Sequence, residues 1–138
     1  MSDNIILDTH ILIWSLLKPE ELSEETKKII CDAQNSGSLI ISSISLWEVA
    51  MLNFKKRIHI YEPVQSFLKS ISEISGMTVC DISPEIAAES VALLDNFHGD
   101  PADRIIVATT KAYAGTLLTR DSKILDWAQL GNVKFLKS

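Results

Sequence analysis

Short apolar runs that alternate with longer amphipathic stretches constrain the fold of this chain more than any other feature. The runs are typical of buried strands and cover 4–7, 39–41, 77–80, 116–119 and 133–136. Strands separated by helices pair in parallel, because a parallel connection must cross over the sheet and usually does so as a helix. The sequence therefore predicts a three-layer α/β/α fold around a central parallel sheet of four to five strands.

Caps, prolines and glycines mark the ends of the predicted helices. These helices cover 11–17, 24–36, 47–58, 64–74, 84–94, 101–113 and 122–130. Gly115 is expected to end the sixth of them, since glycine tolerates the left-handed backbone that follows many helices. The third carries Trp47 on its apolar stripe, and we expect that ring to be core rather than a platform for stacking bases.

Composition limits the class of protein. With 138 residues, 46% of them apolar and 22% charged, the chain is expected to form one domain over 1–138. No apolar run reaches the roughly 18 residues of a membrane span, and the N-terminus lacks a positively charged leader, so we expect a cytoplasmic protein without a membrane. Cys31 and Cys80 lack CxxC spacing and are expected to be reduced, buried thiols.

The net charge of −5 restricts how the chain could bind a polyanion. Binding by phosphate neutralisation alone needs a basic excess, which this chain lacks. A polyanionic partner would therefore require a local basic patch or bound divalent cations. The only dense basic cluster is Lys55, Lys56 and Arg57, which we interpret as solvated helix surface.

Acidic residues fall where predicted strands pass into helices. Asp8 follows the first strand, Glu48 the second, and Asp121 the fourth, while Asp100 and Asp103 open a late helix. Each position also fits helix capping, because carboxylates accept hydrogen bonds from the free N–H groups of a first turn. In particular, Ser45 to Glu48 and Asp100 to Asp103 have the spacing of capping boxes.

Taken together, these acids point to chemistry, because the carboxyl ends of parallel strands meet at one edge of the sheet. Carboxylates that converge there repel one another unless a cation lies among them. Oxygen ligands suit Mg²⁺ or Mn²⁺, and such ions activate water for phosphodiester displacement. Zinc is not expected, since His10, His59 and His98 share no ligand spacing.

Four segments resemble, in order and spacing, the acidic motifs of PIN-domain nucleases. They are IILDTH (5–10), SISLWEV (43–49), DPADR (100–104) and LTRD (118–121). The resemblance spans essentially the whole chain and is strongest to the small VapC-type toxins of toxin–antitoxin pairs. It implies a Mg²⁺- or Mn²⁺-dependent ribonuclease, a homodimer, and inhibition by a cognate antitoxin that covers the acidic groove.

The resemblance also implies roles for individual residues. The acidic quartet that would hold the metal is Asp8, Glu48, Asp103 and Asp121. Thr9 and Thr119 would steady a carboxylate or a phosphate oxygen, and Arg104 would pair with the quartet or grip a phosphate. Asp100 is matched to a helix cap beside Pro101, with a contribution to the site left open.

Three other functions compete with this interpretation. A PIN-fold protein could bind RNA or an antitoxin without cleaving, and a nuclease of the same fold could act on DNA. A receiver-like signalling domain also has a parallel sheet with acids at strand ends. It would need two adjacent acids after the first strand and a late lysine, whereas this chain has Thr9 after Asp8 and Thr119 at the late position.

Overall fold

The computed structural model describes residues 3–95, 97, 99–121, 124–125 and 134–137, with backbone only for 95 and 134–137. Its centre is a five-stranded parallel sheet in the order β3-β2-β1-β4-β5. The strands are β1 (Ile5–Leu7), β2 (Leu39–Ser42), β3 (Met77–Cys80), β4 (Thr116–Thr119) and β5 (Lys134–Lys137). The helices are α1 (Thr9–Leu17), α2 (Glu24–Asn35), α3 (Ser43–Phe54), α4 (Val64–Ser72), α5 (Pro84–Ala92) and α6 (Pro101–Ala112). The predicted fold class is confirmed.

Helices cover both faces of the sheet, as the alternation of strand side chains requires. Ile6 packs with residues of α5 and α6 in one core. Its neighbours Ile5 and Leu7 point to the opposite face and pack with residues of α1, α2 and α4 in a second core. The strands β1, β2 and β4 are buried along their whole length, which explains their apolar runs, whereas the edge strand β3 is partly exposed.

The helix α3 departs from the prediction in both its length and its buried face. It ends at Phe54, so Ile58 lies beyond it. The face that it buries contains Ser45 and Val49, whereas Trp47 is 56% exposed and Phe54 is 80% exposed. The expectation that Trp47 is core was therefore wrong. The reason is that α3 packs mainly on α4 and α6 rather than flat on the sheet, so part of its apolar stripe stays uncovered.

The end of α6 also differs from the prediction. The left-handed residue is Ala114, with a φ of 47°, and Gly115 serves a different purpose. A Cβ at Gly115 would lie 2.4 Å from Cδ1 of Ile6 and 2.8 Å from the carbonyl oxygen of Asn4. The glycine is therefore required by the close approach of the α6–β4 turn to β1.

Three further predictions have separate outcomes. Cys31 and Cys80 form no disulfide, as expected, but Cys31 is exposed and Cys80 is only half-buried, so the expectation of buried thiols was wrong. In the predicted helix 122–130, Ile124 and Leu125 are helical and the remainder lies outside the described residues. Within the described part of the chain, no helix has the length and apolarity to cross a membrane.

Candidate active site

The topology brings Asp8 to the middle of the sheet's carboxyl edge. It directly follows the central strand β1, which pairs with β2 on one side and β4 on the other. Its backbone N–H donates to the carbonyl of Leu118, 3.0 Å away, and its side chain caps α1. Because the strand and the helix are both anchored in the core, this carboxylate has a fixed position and is only 5% exposed.

Both oxygens of Asp8 are oriented by hydrogen bonds. Oδ1 accepts from the backbone N–H of Thr9 at 2.7 Å, and Oδ2 accepts from the hydroxyl of Thr119 at 2.7 Å. The Thr119 oxygen in turn accepts from the N–H of Asp121 at 3.0 Å. A carboxylate oxygen has two lone pairs, so each oxygen of Asp8 retains capacity for a further partner.

The hydroxyl of Thr9 links Asp8 to α3. It donates to Oε1 of Glu48 and lies 2.8 Å from the hydroxyl oxygen of Ser45. A threonine has one hydroxyl proton, so if Thr9 donates to Glu48, Ser45 must donate to Thr9. The sequence did not single out Ser45 as a site residue; its position one helical turn before Glu48 was the available signal.

Helix capping accounts for three of the acids, and Asp103 lies in the first turn of α6, where a negative charge is favourable, but Glu48 has no such role. Asp8 caps α1, Asp100 caps α6 by accepting from the N–H of Asp103 at 3.0 Å, and Asp121 accepts from the N–H of Ile124 at 3.2 Å. The predicted capping box of Ser45 and Glu48 is absent, because Ser42 caps α3 and places Glu48 in its second turn. The capping role of Asp100 is as predicted.

The electrostatics show that the quartet and Asp100 share one neighbourhood. Burial, together with the negative charges of Asp100, Asp8, Asp121 and Glu48, raises the pKa of Asp103 from 3.8 to about 8. Burial also raises the pKa of Asp8 and of Glu48 above their ordinary values, although hydrogen bonds from Thr119 and Thr9 oppose the effect. Desolvation is the largest cause for all three groups, and the negative charges of neighbouring acids add to it.

Arg104 does not neutralise this cluster. Its Nη1 donates to the carbonyl of Gly99 at 2.5 Å, and its buried Nε has no hydrogen-bond partner among the described residues. The ion pairs found in the described part of the chain, Lys27 with Glu24 and Lys111 with Glu89, lie elsewhere. The guanidinium thus bonds to the backbone just before α6 and forms no ion pair with a described carboxylate.

The chemistry of the donors fits a hard divalent cation. All are carboxylate or hydroxyl oxygens, and desolvation plus mutual repulsion would be relieved by positive charge. Among the residues described, no three Asp, Glu, His or Cys side chains form a ready cage for one ion. Mg²⁺ does not need such a cage, because it commonly takes one or two carboxylates and completes its shell with water and substrate oxygens.

A groove opens beside Glu48 and Asp100, with a volume of about 630 Å³. Its floor includes Trp47, Met51 and Ile82, so the exposed stripe of α3 borders the acidic edge of the sheet. The site is therefore open to a large molecule on this side.

Comparison with known proteins agrees with this geometry. Residues 5–130 match the profile of the PIN domain family, which is nearly the whole chain. This chain belongs to the PIN domain family. The match includes all four acidic motifs and the strands that position them.

Relatives place the chain in the VapC-type group of that family. It is 34% identical over 120 residues to Ribonuclease VapC22 of Mycobacterium tuberculosis (strain ATCC 25618 / H37Rv), covering 87% of this chain and 88% of the relative. A toxin–antitoxin complex from Klebsiella pneumoniae contains a chain 29% identical, with a TM-score of 0.63 and 94% of each chain covered. VapBC2 from Rickettsia felis, bound to a promoter DNA fragment, shares the fold with a TM-score of 0.68 at 17% identity, covering 96% of this chain and 97% of that one.

Proposed function

We propose that this chain is a divalent-metal-dependent ribonuclease and the toxin of a toxin–antitoxin pair. The observation that carries the proposal is the group of desolvated carboxylates at the sheet's carboxyl edge, in which Asp8, Glu48 and Asp103 have raised pKa values. Helix capping would not require Glu48, and it gives no reason to bury Asp103 among four other acids. The 34% identity to a ribonuclease and the likeness to a toxin–antitoxin complex support the choice of RNA and of an antitoxin partner.

Each member of the quartet has a role in this proposal. Asp8, Glu48, Asp103 and Asp121 would hold Mg²⁺ or Mn²⁺, directly or through water. The bound ion would lower the pKa of the attacking water and neutralise charge on the phosphate oxygens. Thr9 and Thr119 keep the carboxylates in fixed orientations, so little reorganisation is needed when the substrate arrives.

The reaction is hydrolysis of a phosphodiester by in-line attack of water. The P–O bond to the leaving oxygen breaks as the new P–O bond forms, and the leaving oxygen takes a proton. The family resemblance implies products with 5′-phosphate and 3′-hydroxyl ends. Asp8 and Glu48 lie on different elements, β1–α1 and α3, so the phosphate would be bound between the end of the sheet and α3.

The first test compares the wild type with Asp8→Asn. Asparagine caps a helix about as well as aspartate, so the fold should survive while the charge is lost. We expect EDTA-sensitive cleavage of RNA by the wild type and a loss of ~10²-fold or more in the variant, as for removal of a group that stabilises transition-state charge. Equal cleavage by the two proteins would contradict the proposal, and cleavage of single-stranded DNA but not RNA would favour the DNA-directed alternative.

The antitoxin partner is tested in cells. Expression of the wild type should arrest growth, Asp8→Asn should not, and co-expression of the antitoxin should relieve the arrest. Binding of RNA or antitoxin by the wild type without any cleavage would favour the alternative of a binding protein. We place this activity in the cytoplasm, where RNA is the available substrate.

A homodimer is also proposed. Large apolar side chains are exposed on α3 and α5, among them Trp47 and Val91, which is 63% exposed. Exposed apolar surface of this kind is typical of a protein interface. Sedimentation velocity should show a dimer for the wild type and a shift toward monomer for Trp47→Gln, whereas a monomeric wild type would contradict this part of the proposal.

A further inference from the structure

A second groove, the basic groove, lies between α1 and the segment that joins α3 to α4. Its volume is about 890 Å³, and its basic lining residues are His10, Lys18, Lys56, Arg57 and His59. None of the described residues that line it is Asp or Glu. On a chain with a net charge of −5, this is a marked local excess of positive charge.

The basic groove borders the candidate active site at His10. His10 is the second residue after Asp8, and its charge acts to lower the pKa of both Asp8 and Glu48 against the larger effect of burial. From there its lining continues along α1, through Ile13, Trp14 and Leu17, to the α3–α4 segment. An elongated molecule whose reacting atoms lie at Asp8 would therefore continue into it.

Aromatic side chains accompany these charges. Tyr61 is 92% exposed and makes an edge-to-face contact with His59, the ring centroids being 4.2 Å apart. The half-buried Trp14 also lines the groove, and the guanidinium of Arg120 lies over its ring, 4.5 Å from the centroid. Exposed rings beside cationic side chains are what proteins use to hold single-stranded nucleic acid, in which bases stack and phosphates pair with Lys or Arg.

The backbone at Lys56 is informative. After α3, the N–H of Lys56 donates to the carbonyl of Asn53 at 3.0 Å and that of Arg57 to the carbonyl of Leu52 at 2.9 Å. This is a Schellman motif, and Lys56 occupies its left-handed position with a φ of 59°. Glycine is favoured at this position, so folding does not call for lysine there.

We infer that the basic groove binds the single-stranded RNA that flanks the scissile phosphate, with Lys56 and Arg57 contacting phosphates and Tyr61 stacking on a base. This inference rests on the proposed ribonuclease function and names the part of the protein that holds its substrate. Lys56 and Arg57 are exposed, as the sequence predicted, but they lie beyond α3 and line a groove, so the expectation of a helix surface was wrong.

The test measures RNA binding without cleavage. A short fluorescein-labelled single-stranded RNA of mixed sequence is titrated with protein in EDTA, and anisotropy is followed at several salt concentrations. Lys56→Gln should weaken binding about 3-fold or more and reduce the salt slope by roughly 0.7, the value for one phosphate contact on a single strand. Lys69→Gln on α4 is the matched control, because it makes the same change in net charge outside the groove.

Two more variants separate binding from folding. Lys56→Gly should weaken RNA binding as Lys56→Gln does. It should also raise the midpoint of thermal unfolding, because glycine adopts the left-handed backbone conformation of this position without the steric cost of a side chain. Tyr61→Ala should weaken binding of the single strand by about 5-fold, with little change in salt slope, whereas Tyr61→Phe should retain it.

Several outcomes would overturn the inference. It fails if the wild type does not bind the single strand, or if the groove variants bind as tightly as Lys69→Gln. Loss of affinity for a poly-glutamate peptide, with RNA affinity unchanged, would assign the groove to an acidic protein segment instead. The binding assay contains EDTA and is therefore independent of cleavage. If RNA binding depends on Lys56 but no cleavage occurs in Mg²⁺, the proposed ribonuclease function is contradicted while the proposed RNA-binding groove is supported.

Discussion

At the scale of single residues, the hydroxyl of Thr9 connects the end of β1 to two side chains of α3. It is buried, donates to Glu48 and contacts Ser45, while the backbone of the same residue holds Asp8. Losing it would remove a hydrogen-bond partner from the fully buried hydroxyl of Ser45 and from the half-buried carboxylate of Glu48. The hydrogen bond also opposes the rise in the pKa of Glu48 that burial causes, so it favours the charged form that a cation would bind.

Replacing Thr9 with valine should therefore reduce both stability and activity. We expect a loss of ~1–3 kcal/mol in the free energy of unfolding, because the buried hydroxyl of Ser45 loses its acceptor, and weaker metal-dependent cleavage. Thr9→Ser restores the hydroxyl and should recover most of both. Chemical denaturation and cleavage at several Mg²⁺ concentrations measure the two effects. Thr110→Val, another buried threonine, is the control and should leave the metal dependence unchanged.

At the scale of elements, the α6–β4 turn shows how close packing positions the site. Gly115 lets the turn approach β1, and β4 then runs beside β1 to deliver Thr119 next to Asp8. The hydrogen bond from the N–H of Thr116 to the carbonyl of Asn4, 2.9 Å long, joins the two strands at their start. A change in this turn would shift the register on which the Thr119–Asp8 contact depends.

Substitutions at the two adjacent positions of this turn should have opposite effects. Gly115→Ala should destabilise the protein by ~1–3 kcal/mol, because its Cβ would overlap the fully buried Ile6 and the backbone of Asn4. Ala114→Gly should stabilise it by up to ~1 kcal/mol, because glycine adopts positive φ without steric cost. Thermal unfolding measures both, and a destabilising Ala114→Gly would contradict the explanation.

At the scale of the whole molecule, charge is distributed unevenly in a way that the net value hides. The carboxyl edge of the sheet collects acids, while the basic groove beside it contains no described acid. An anionic substrate would be repelled by the first region and attracted by the second. A divalent cation at the acids would remove the conflict, so metal and RNA should assist each other's binding.

The acidic cluster makes the stability of the metal-free protein depend on pH. The folded-state pKa of Asp103 is about 8 against 3.8 for the free group, so between these values the folded state binds more protons than the unfolded state. Stability is therefore greatest at low pH within this window and falls as pH rises toward about 8. Because Asp103 is partly exposed, solvent screening limits the loss to the order of 1–2 kcal/mol.

Thermal unfolding in EDTA across this pH range measures the effect, and Asp103→Asn should flatten the curve. Added Mg²⁺ should stabilise the wild type more at about pH 8 than at about pH 5.5, because protons compete with the ion for the carboxylates. A stability that rises with pH in EDTA, or a Mg²⁺ effect that is equal at both values, would contradict this account.

The sequence by itself determined the order and type of the elements and the family. Apolar periodicity is a local property, and it was sufficient for five strands and for the parallel pairing that helical connections impose. The motif residues Asp8, Glu48, Asp103 and Asp121 were also readable, because they lie at strand ends or in the first two turns of helices.

Only the tertiary structure decided which of these residues touch and which surfaces remain open. The contacts of Thr9 with Ser45 and of Thr119 with Asp8 join residues 36 and 111 positions apart, and no local pattern contains such a distance. Contacts with distant parts of the chain likewise decide three other features. They are the exposure of Trp47, the close approach of Ile6 to Gly115 and the hydrogen bond of Arg104 to Gly99. The burial of a carboxylate and the repulsion that it experiences both depend on all the groups around it in space. The sequence pattern therefore predicts which acids meet, whereas their pKa values depend on the packing.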